Sequence, residues 1–463
     1  MTSTDTRPTA GPDPSPSRAS AWTALKPLIL RLHFYAGILI APFLLVAAST
    51  GLLYAASFQI EQVAHRHELT VPVGEQRLPL TQQVAAAQAA RPDGKVTAVR
   101  TPEAADASTR VLMDVPGLPE STQLAVFVDP YTGQVRGTLD SYGGSGALPV
   151  RAWISHLHRH LHLGEPGRLY SELAASWLWV VALGGLTLWV TRRRGARRLR
   201  GLLAPDRSLP GARRRLSWHG SVGLWAVLGL LFLSATGLTW STYAGENVGE
   251  VRTALGWTTP AVTTSSGDHA AHTGEGVHRH GGPAVSVDQV ARAGAGEGLS
   301  GPLEIVWPAE PGAPYVIKEI DKTVPQRLDQ VAVDAGSGQV TAVLRFSDYN
   351  LAAKLTQWGI DGHMGLLFGL ANQIVLMLLA AGAITLIVLG YRMWWQRRPT
   401  RGFGEPYPRG GWHRLGWAVL VPLILLVVAV GWFLPLMGLS LLAFLAVDVL
   451  LGLRARATQQ EGA

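Results

Sequence analysis

The chain contains no cysteine. Disulfides, thiolate-held iron–sulfur clusters and haem attached through C-x-x-C-H are therefore excluded. Charge is also scarce: 16% of residues are Asp, Glu, Lys or Arg, against about 25% in a typical soluble domain. No nucleophile elbow, H-E-x-x-H, P-loop or G-x-G-x-x-G between strand and helix is present, so nothing points to a hydrolase, zinc protease, nucleotide or nicotinamide site. The 463 residues exceed one ordinary domain. Mean hydropathy is positive, and the apolar excess gathers in a few long runs, as in a membrane protein.

Those runs cover 28–58, 173–191, 216–243 and 366–394, with two shorter ones at 415–434 and 436–453 separated by Pro435. A span needs about 20 apolar residues, so the first four qualify and the last two read as a tight hairpin. The first run exceeds the roughly 7–15 residues of a signal-peptide core and reads as a span. Net charge is +8, but the cations flank apolar runs rather than forming a nucleic-acid patch, and no nucleic-acid partner is expected. Lys26 and Arg31 precede the first run, Arg192, Arg193, Arg194, Arg197, Arg198 and Arg200 follow the second, and Arg213, Arg214 and Arg215 precede the third. Arg392, Arg397, Arg398 and Arg401 follow the fourth, and Arg454 and Arg456 the sixth. With six spans all of these fall on one side, the cytoplasm by the positive-inside rule. The expected order is a disordered cytoplasmic tail (1–25), a first span (26–58), an extracytoplasmic domain (59–150), a His-rich lead-in and second span (151–191), and a basic loop (192–215). A third span (216–243), a second extracytoplasmic domain with a His/Gly-rich loop (244–355), a fourth span (356–396), a basic loop (397–412), the hairpin (413–453) and a cytoplasmic tail (454–463) follow. Both termini are cytoplasmic, in a multi-pass inner-membrane protein contacting lipid.

The chain repeats internally. His33-Phe-Tyr-Ala-Gly37 and Thr50-Gly51-Leu52 recur as His219-Gly-Ser-Val-Gly223 and Thr236-Gly237-Leu238, at one offset (219 − 33 = 236 − 50 = 186). Each loop segment shows a helical stretch (80–90; 285–292), then strand-like pieces (96–100, 110–114, 124–129; 303–307, 315–320, 328–333). The third piece of each runs into a turn, Asp129-Pro-Tyr-Thr-Gly133-Gln-Val135 or Asp334-Ala-Gly-Ser-Gly338-Gln-Val340. The expected fold is thus a polytopic α-helical membrane protein. It is a duplicated unit of two transmembrane helices flanking a small extracytoplasmic α+β domain, plus a C-terminal helical hairpin.

The stretch His156–Arg168, HLHRHLHLGEPGR, resembles the signature of the PepSY-associated transmembrane helix family, and the Asp129–Val135 turn is similar to the end of a PepSY domain. Trp218-His219, Thr236-Gly237 and the H-x-G-x-x-x-G element at His363–Gly369 fit as well, so the resemblance runs from Arg31 to Arg398. It implies PepSY-like outer domains and similarity to inner-membrane ferric-siderophore reductases of iron uptake that carry b-type haem. PepSY domains elsewhere are associated with protease propeptides and inhibition.

The side chains able to carry chemistry are histidines, because non-covalent low-spin haem needs two axial ligands and no thiolate is present. His33 and His219, equivalent by the repeat, would hold one haem b at the cytoplasmic end, with Gly37 and Gly223 leaving room for a flat ring. His158 and His363 would hold a second at the outer end, with His160 or His162 as alternates, since His158 and His162 share a helical face. His413 is an alternate inner ligand, read otherwise as an interfacial anchor. His269, His272, His278 and His280, in a Gly-rich stretch, suit weak metal binding without fixed spacing. Asp448 is an intramembrane carboxylate that snorkels or relays protons. The functional reading is electron transfer from a cytoplasmic reductase or quinol, through two haems, to a ferric siderophore or other ferric chelate outside. Arg159, Arg168, Tyr142, Trp153 and Tyr170 would dock the anionic chelate. The rival readings are a non-enzymatic protein whose outer domains bind a partner protein or peptide, and a metal-binding accessory of an importer.

Overall fold

The computed structural model describes residues 21–192, 198–262, 285–397 and 415–461. In chain order, helices α1 (Ala21–Leu39), α2 (Ala41–Ala64), α3 (Arg66–Leu69) and α4 (Leu80–Ala90) lead into strands β1 (Lys95–Arg100), β2 (Thr109–Asp114), β3 (Thr122–Val128) and β4 (Val135–Tyr142). Helices α5 (Pro149–His160), α6 (Glu165–Arg192), α7 (Arg198–Leu203), α8 (Gly211–Leu238), α9 (Tyr243–Ala254) and α10 (Val287–Gly296) come next. Strands β5 (Leu303–Val306), β6 (Tyr315–Glu319), β7 (Gln330–Val333) and β8 (Val340–Leu344) precede α11 (Leu351–His363), α12 (Gly369–Arg397), α13 (Trp417–Phe433) and α14 (Pro435–Glu461).

Among the described residues, four helices, α2, α6, α8 and α12, are long and apolar enough to cross a membrane. The run at 28–58 is not one helix: it breaks at Ile40, because Pro42, in the first turn of α2, has no backbone N–H to bond back to Ile38. The expected span at 356–396 is likewise two helices, α11 and α12. Gly365, at φ +79°, and Gly369, at φ +54°, turn the chain between them. At the hairpin, Gly431 and Gly438 let α13 and α14 close tightly, since a Cβ on Gly438 would lie 2.6 Å from the Gly431 carbonyl oxygen.

The chain forms two units. One gathers Met1–Ala41, Val180–Val227 and Ile387–Ala463, the other Pro42–Trp179 and Leu228–Leu386. The second holds an antiparallel sheet in the order β4-β3-β2-β1-β5-β6-β7-β8. The two segments expected as separate α+β domains each supply four strands to this one sheet. Their joint is β1 with β5, registered as Ala98–Val306, Val99–Ile305 and Arg100–Glu304. Pairing satisfies backbone groups that either edge alone would leave open. Val99, Val111, Val126, Ile305, Ile317 and Val331 point to one face, where α4 and α10 pack over them. Ala98, Leu112, Ala125 and Phe127 point to the other, against Leu69 and Leu148. Burial on both faces explains the continuous apolar run of β3. Asp288, on α10, accepts from the Leu80 backbone N–H at the start of α4 at 2.7 Å, so the first turn of α4 is satisfied by the second segment.

The two turns after β3 and β7 match in detail. Asp129 accepts from the Tyr131 and Thr132 N–H groups (2.8 and 3.3 Å), and Asp334 from the equivalent Gly336 and Ser337 N–H groups (3.2 and 2.7 Å). Gly133 and Gly338 both take left-handed φ, +75° and +72°, which only glycine adopts freely.

Candidate functional site

In the sheet-bearing unit, α2 carries Thr50 and Gly51 against α5. The Thr50 hydroxyl donates to the Val46 carbonyl (2.8 Å), and the His158 Nδ1 lies 2.9 Å from the same oxygen. Thr236, on α8, repeats this: its hydroxyl donates to Phe232 O (2.6 Å), and His363 Nδ1 stands 2.6 Å away. A threonine has one proton to donate and spends it on its own helix. An imidazole that donates from Nδ1 to this oxygen has Nε2 unprotonated with its lone pair available. A neighbour that fixes the tautomer through the other ring nitrogen is the usual support of a metal-ligating histidine.

The glycine after each threonine makes room for the ring. A Cβ on Gly51 would lie 3.1 Å from His158 Cε1, and one on Gly237 3.5 Å from His363 Cε1. Tyr54 stacks parallel to His158 at 6.2 Å, and Trp240 meets His363 edge-on at 5.3 Å. Burial lowers the His158 pKa to about 4, opposed by a hydrogen bond to the Ala47 backbone. Burial lowers that of His363 to about 3, and the charge of His158 adds to the shift, so the two rings sense each other. Both are neutral at physiological pH, the form that ligates a metal.

The helices bearing these rings are pinned by buried charge. Glu61, at the end of α2, accepts from the Leu148 N–H (2.8 Å) and from Arg151 Nε (3.0 Å), locking the start of α5. Arg151 also lies 4.9 Å over the Phe58 ring. In α11, Asp361 is fully buried and accepts from Gln326 and Gln357, each at 2.7 Å, two residues before His363. Asn372 donates to the Gly362 carbonyl at 2.9 Å, tying α12 to the end of α11.

The register left open in 156–162 is closed by the helix end. Helix α5 stops at His160, and Leu161 and His162 both take left-handed backbone, φ 54° and 55°. His162 therefore does not share a face with His158; its Nε2 turns back to the Trp153 carbonyl at 3.0 Å. His158 is the ring that reaches Thr50, while His160 and His162 stay with His156 on another face. That face also carries Trp153, 4.9 Å from the His162 ring, and Tyr142, 4.5 Å from His156 and 3.0 Å from Arg159 Nη1. Of the side chains assigned to chelate docking, Tyr142, Trp153 and Arg159 are thus together. Arg168 pairs with Glu165 (3.1 Å), and Tyr170 donates to Pro42 O beside Phe43.

In the other unit, His33 and His219 face each other with ring centroids 6.3 Å apart. Metal–imidazole bonds run about 2 Å, so two rings on opposite sides of one metal have centroids about 6 Å apart, and this pair has that spacing. His33 Nδ1 lies 3.0 Å from the Val181 carbonyl, which only accepts, so Nε2 again carries the lone pair. The glycines against His33 are Gly184 and Gly185, a Cβ on the latter falling 2.9 Å from Cε1; a Cβ on Gly37 would meet no atom within 4 Å. The room expected from Gly37 comes from α6 instead. Asp448 on α14 does not stand alone: it forms an ion pair with Arg31 on α1, as intramembrane charges generally pair.

His413 and the histidines at 269, 272, 278 and 280 lie outside the described residues. Among the described residues, no group of three or more His, Cys, Asp or Glu side chains is arranged to hold a metal ion by protein ligands alone.

Long apolar helices and an antiparallel α+β sheet define a multi-pass membrane protein with a small α+β domain. A family model described as "PepSY-associated TM region" matches residues 30–397, and the chain belongs to that family. A search of curated proteins returns no match.

Proposed function

We propose that this protein is a two-haem membrane electron carrier that reduces a ferric siderophore or similar ferric chelate on the outer side of the inner membrane. The observation that carries the reading is the matched Thr–Gly–His arrangement. Thr50 with His158, and Thr236 with His363, each orient a half-buried imidazole that can offer Nε2 as a ligand. His158 and His363 would hold one haem b, and His33 and His219 the other. Haem bound at these positions would supply a reversible one-electron centre. The chain's own part is to orient these imidazoles and shield them from water.

The agreement of the two threonine–histidine pairs and of the two Asp–Gly turns supports a duplicated unit of two helices and one half-sheet. The basic flanks support an orientation with both termini in the cytoplasm and the sheet domain outside. The electron donor is then a cytoplasmic reductase or quinol. Tyr142, Trp153 and Arg159 supply aromatic surface and one cation for an anionic chelate. Reduction of iron from ferric to ferrous weakens its binding by hard oxygen donors and releases it.

Haem content in single variants tests the assignment. His219→Ala retains about half the haem of the unmodified protein, and His363→Ala loses the complementary half. Unchanged haem in both His33→Ala and His219→Ala would remove the inner site.

A further inference from the structure

Four histidines stand on alternate residues, three on helix α5 and His162 just past its end, and the geometry splits them. His158 turns to Thr50. His156 and His160, one turn apart, lie on one face with ring centroids 5.1 Å apart. The left-handed backbone at Leu161 and His162 then folds the chain back and sets the His162 ring 6.0 Å from each of the other two. Left-handed conformation at two consecutive non-glycine residues is uncommon, and here its product is a triangle of imidazoles.

Two of the three rings have a nitrogen open to a ligand. His162 Nε2 faces the Trp153 carbonyl and must donate to it, so its Nδ1 holds the lone pair. His160 Nδ1 is buried without a hydrogen-bond partner, and a buried polar atom in that state is costly unless something else occupies it. With metal–nitrogen bonds of about 2.0–2.1 Å, imidazoles arranged tetrahedrally on one ion have ring centroids about 5 Å apart; His156 and His160 have that spacing, and His162, 6.0 Å from each, lies about 1 Å too far. The three nitrogens do not yet converge on one point; convergence needs side-chain rotation, which is open to the exposed His162. The nearby cation Arg159 is directed to the Tyr142 hydroxyl.

We infer that His156, His160 and His162 form an acceptor site for a divalent first-row transition-metal ion, on the same face as Tyr142, Trp153 and Arg159. Imidazole suits borderline divalent ions rather than the oxygen-seeking ferric ion. Taking ferrous iron released at that face as the natural ion rests on the function proposed above; the binding of a divalent ion does not.

The test is a calorimetric titration of detergent-solubilised protein with Zn2+ alone, with the Soret absorbance of every sample recorded. The parent carries alanine at 269, 272, 278 and 280 and has no histidine tag, so other imidazole-rich segments do not contribute. The expected result is one Zn2+ per chain in the parent. Binding falls at least tenfold in His156→Ala and disappears in the triple variant His156→Ala/His160→Ala/His162→Ala, with the Soret band unchanged. His158→Ala gives the opposite pattern: reduced Soret absorbance and intact Zn2+ binding. Equal Zn2+ binding by parent and triple variant, or none by a folded parent, overturns the site. Zn2+ binding by a parent that never takes up haem would keep the site and reject the electron-transfer reading.

Discussion

The Nδ1 of His363 lies 2.6 Å from the hydroxyl oxygen of Thr236, whose own proton is committed to the Phe232 carbonyl. The threonine therefore offers Nδ1 an acceptor, which favours the tautomer with its lone pair on Nε2. Thr236→Val keeps the shape and removes the acceptor. The expected outcome is a 10- to 100-fold weaker haem affinity, the usual cost of losing the partner that orients a metal-ligating histidine. Haem titration of the solubilised protein measures it; Thr50→Val acts the same way through His158.

Glycine contacts make a second pair of variants informative. A methyl group at Gly185 would sit 2.9 Å from His33 Cε1, whereas one at Gly37 would touch nothing within 4 Å. Gly185→Ala is expected to displace the His33 ring and lower haem content to about half, and Gly37→Ala to leave it unchanged. Alanine in a helix is favoured over glycine by about 1 kcal/mol, so a loss in Gly185→Ala would not be one of folding. Haem-to-protein ratios decide between the outcomes.

Protonation gives a pH signature. Burial holds His158 at a pKa of about 4 and His363 at about 3, below the unfolded value of about 6.5. Between those limits the unfolded chain binds protons that the folded chain does not. The stability from keeping these rings neutral is full above pH 6.5 and is lost as pH falls, by about 1.4 kcal/mol per pH unit per histidine. Thermal midpoints of haem-free protein are expected to drop steadily from pH 6.5 to 4.5, and less steeply in His158→Gln/His363→Gln. A midpoint indifferent to pH across that range contradicts the buried, neutral assignment.

The Glu61–Arg151 pair that anchors α5 is buried, with Glu61 7% and Arg151 4% exposed. Glu61→Gln leaves an uncompensated buried guanidinium and is expected to cost about 3–5 kcal/mol. Breaking the exposed Arg91–Asp93 pair by Arg91→Ala is expected to leave stability nearly unchanged. Chemical denaturation of both variants compares the two.

Much of this was legible in the sequence. The long apolar runs gave the membrane helices, the helical stretch 80–90 matches α4, and three strands in each segment lie within two residues of their observed ends. The strands β4 and β8 were not anticipated: as sheet edges they alternate exposed and half-buried residues and include turn-formers such as Gly137 and Asp140. The β1–β5 joint could not be read, because which edges pair is decided by three-dimensional approach. At the site, the repeat located Thr50-Gly51 and Thr236-Gly237 but gave them no role. Their function appears only when α5 and α11 deliver His158 and His363 alongside. The partner of Asp448 was hidden for the same reason, since Arg31 lies 417 residues away in sequence.

The central claim is that the imidazoles at 33, 219, 158 and 363 hold haem, and the visible spectrum of protein purified after haem-supplemented expression tests it most directly. The account predicts a Soret band, an α band that sharpens on dithionite reduction, and two haems per chain. A folded, colourless protein would contradict it.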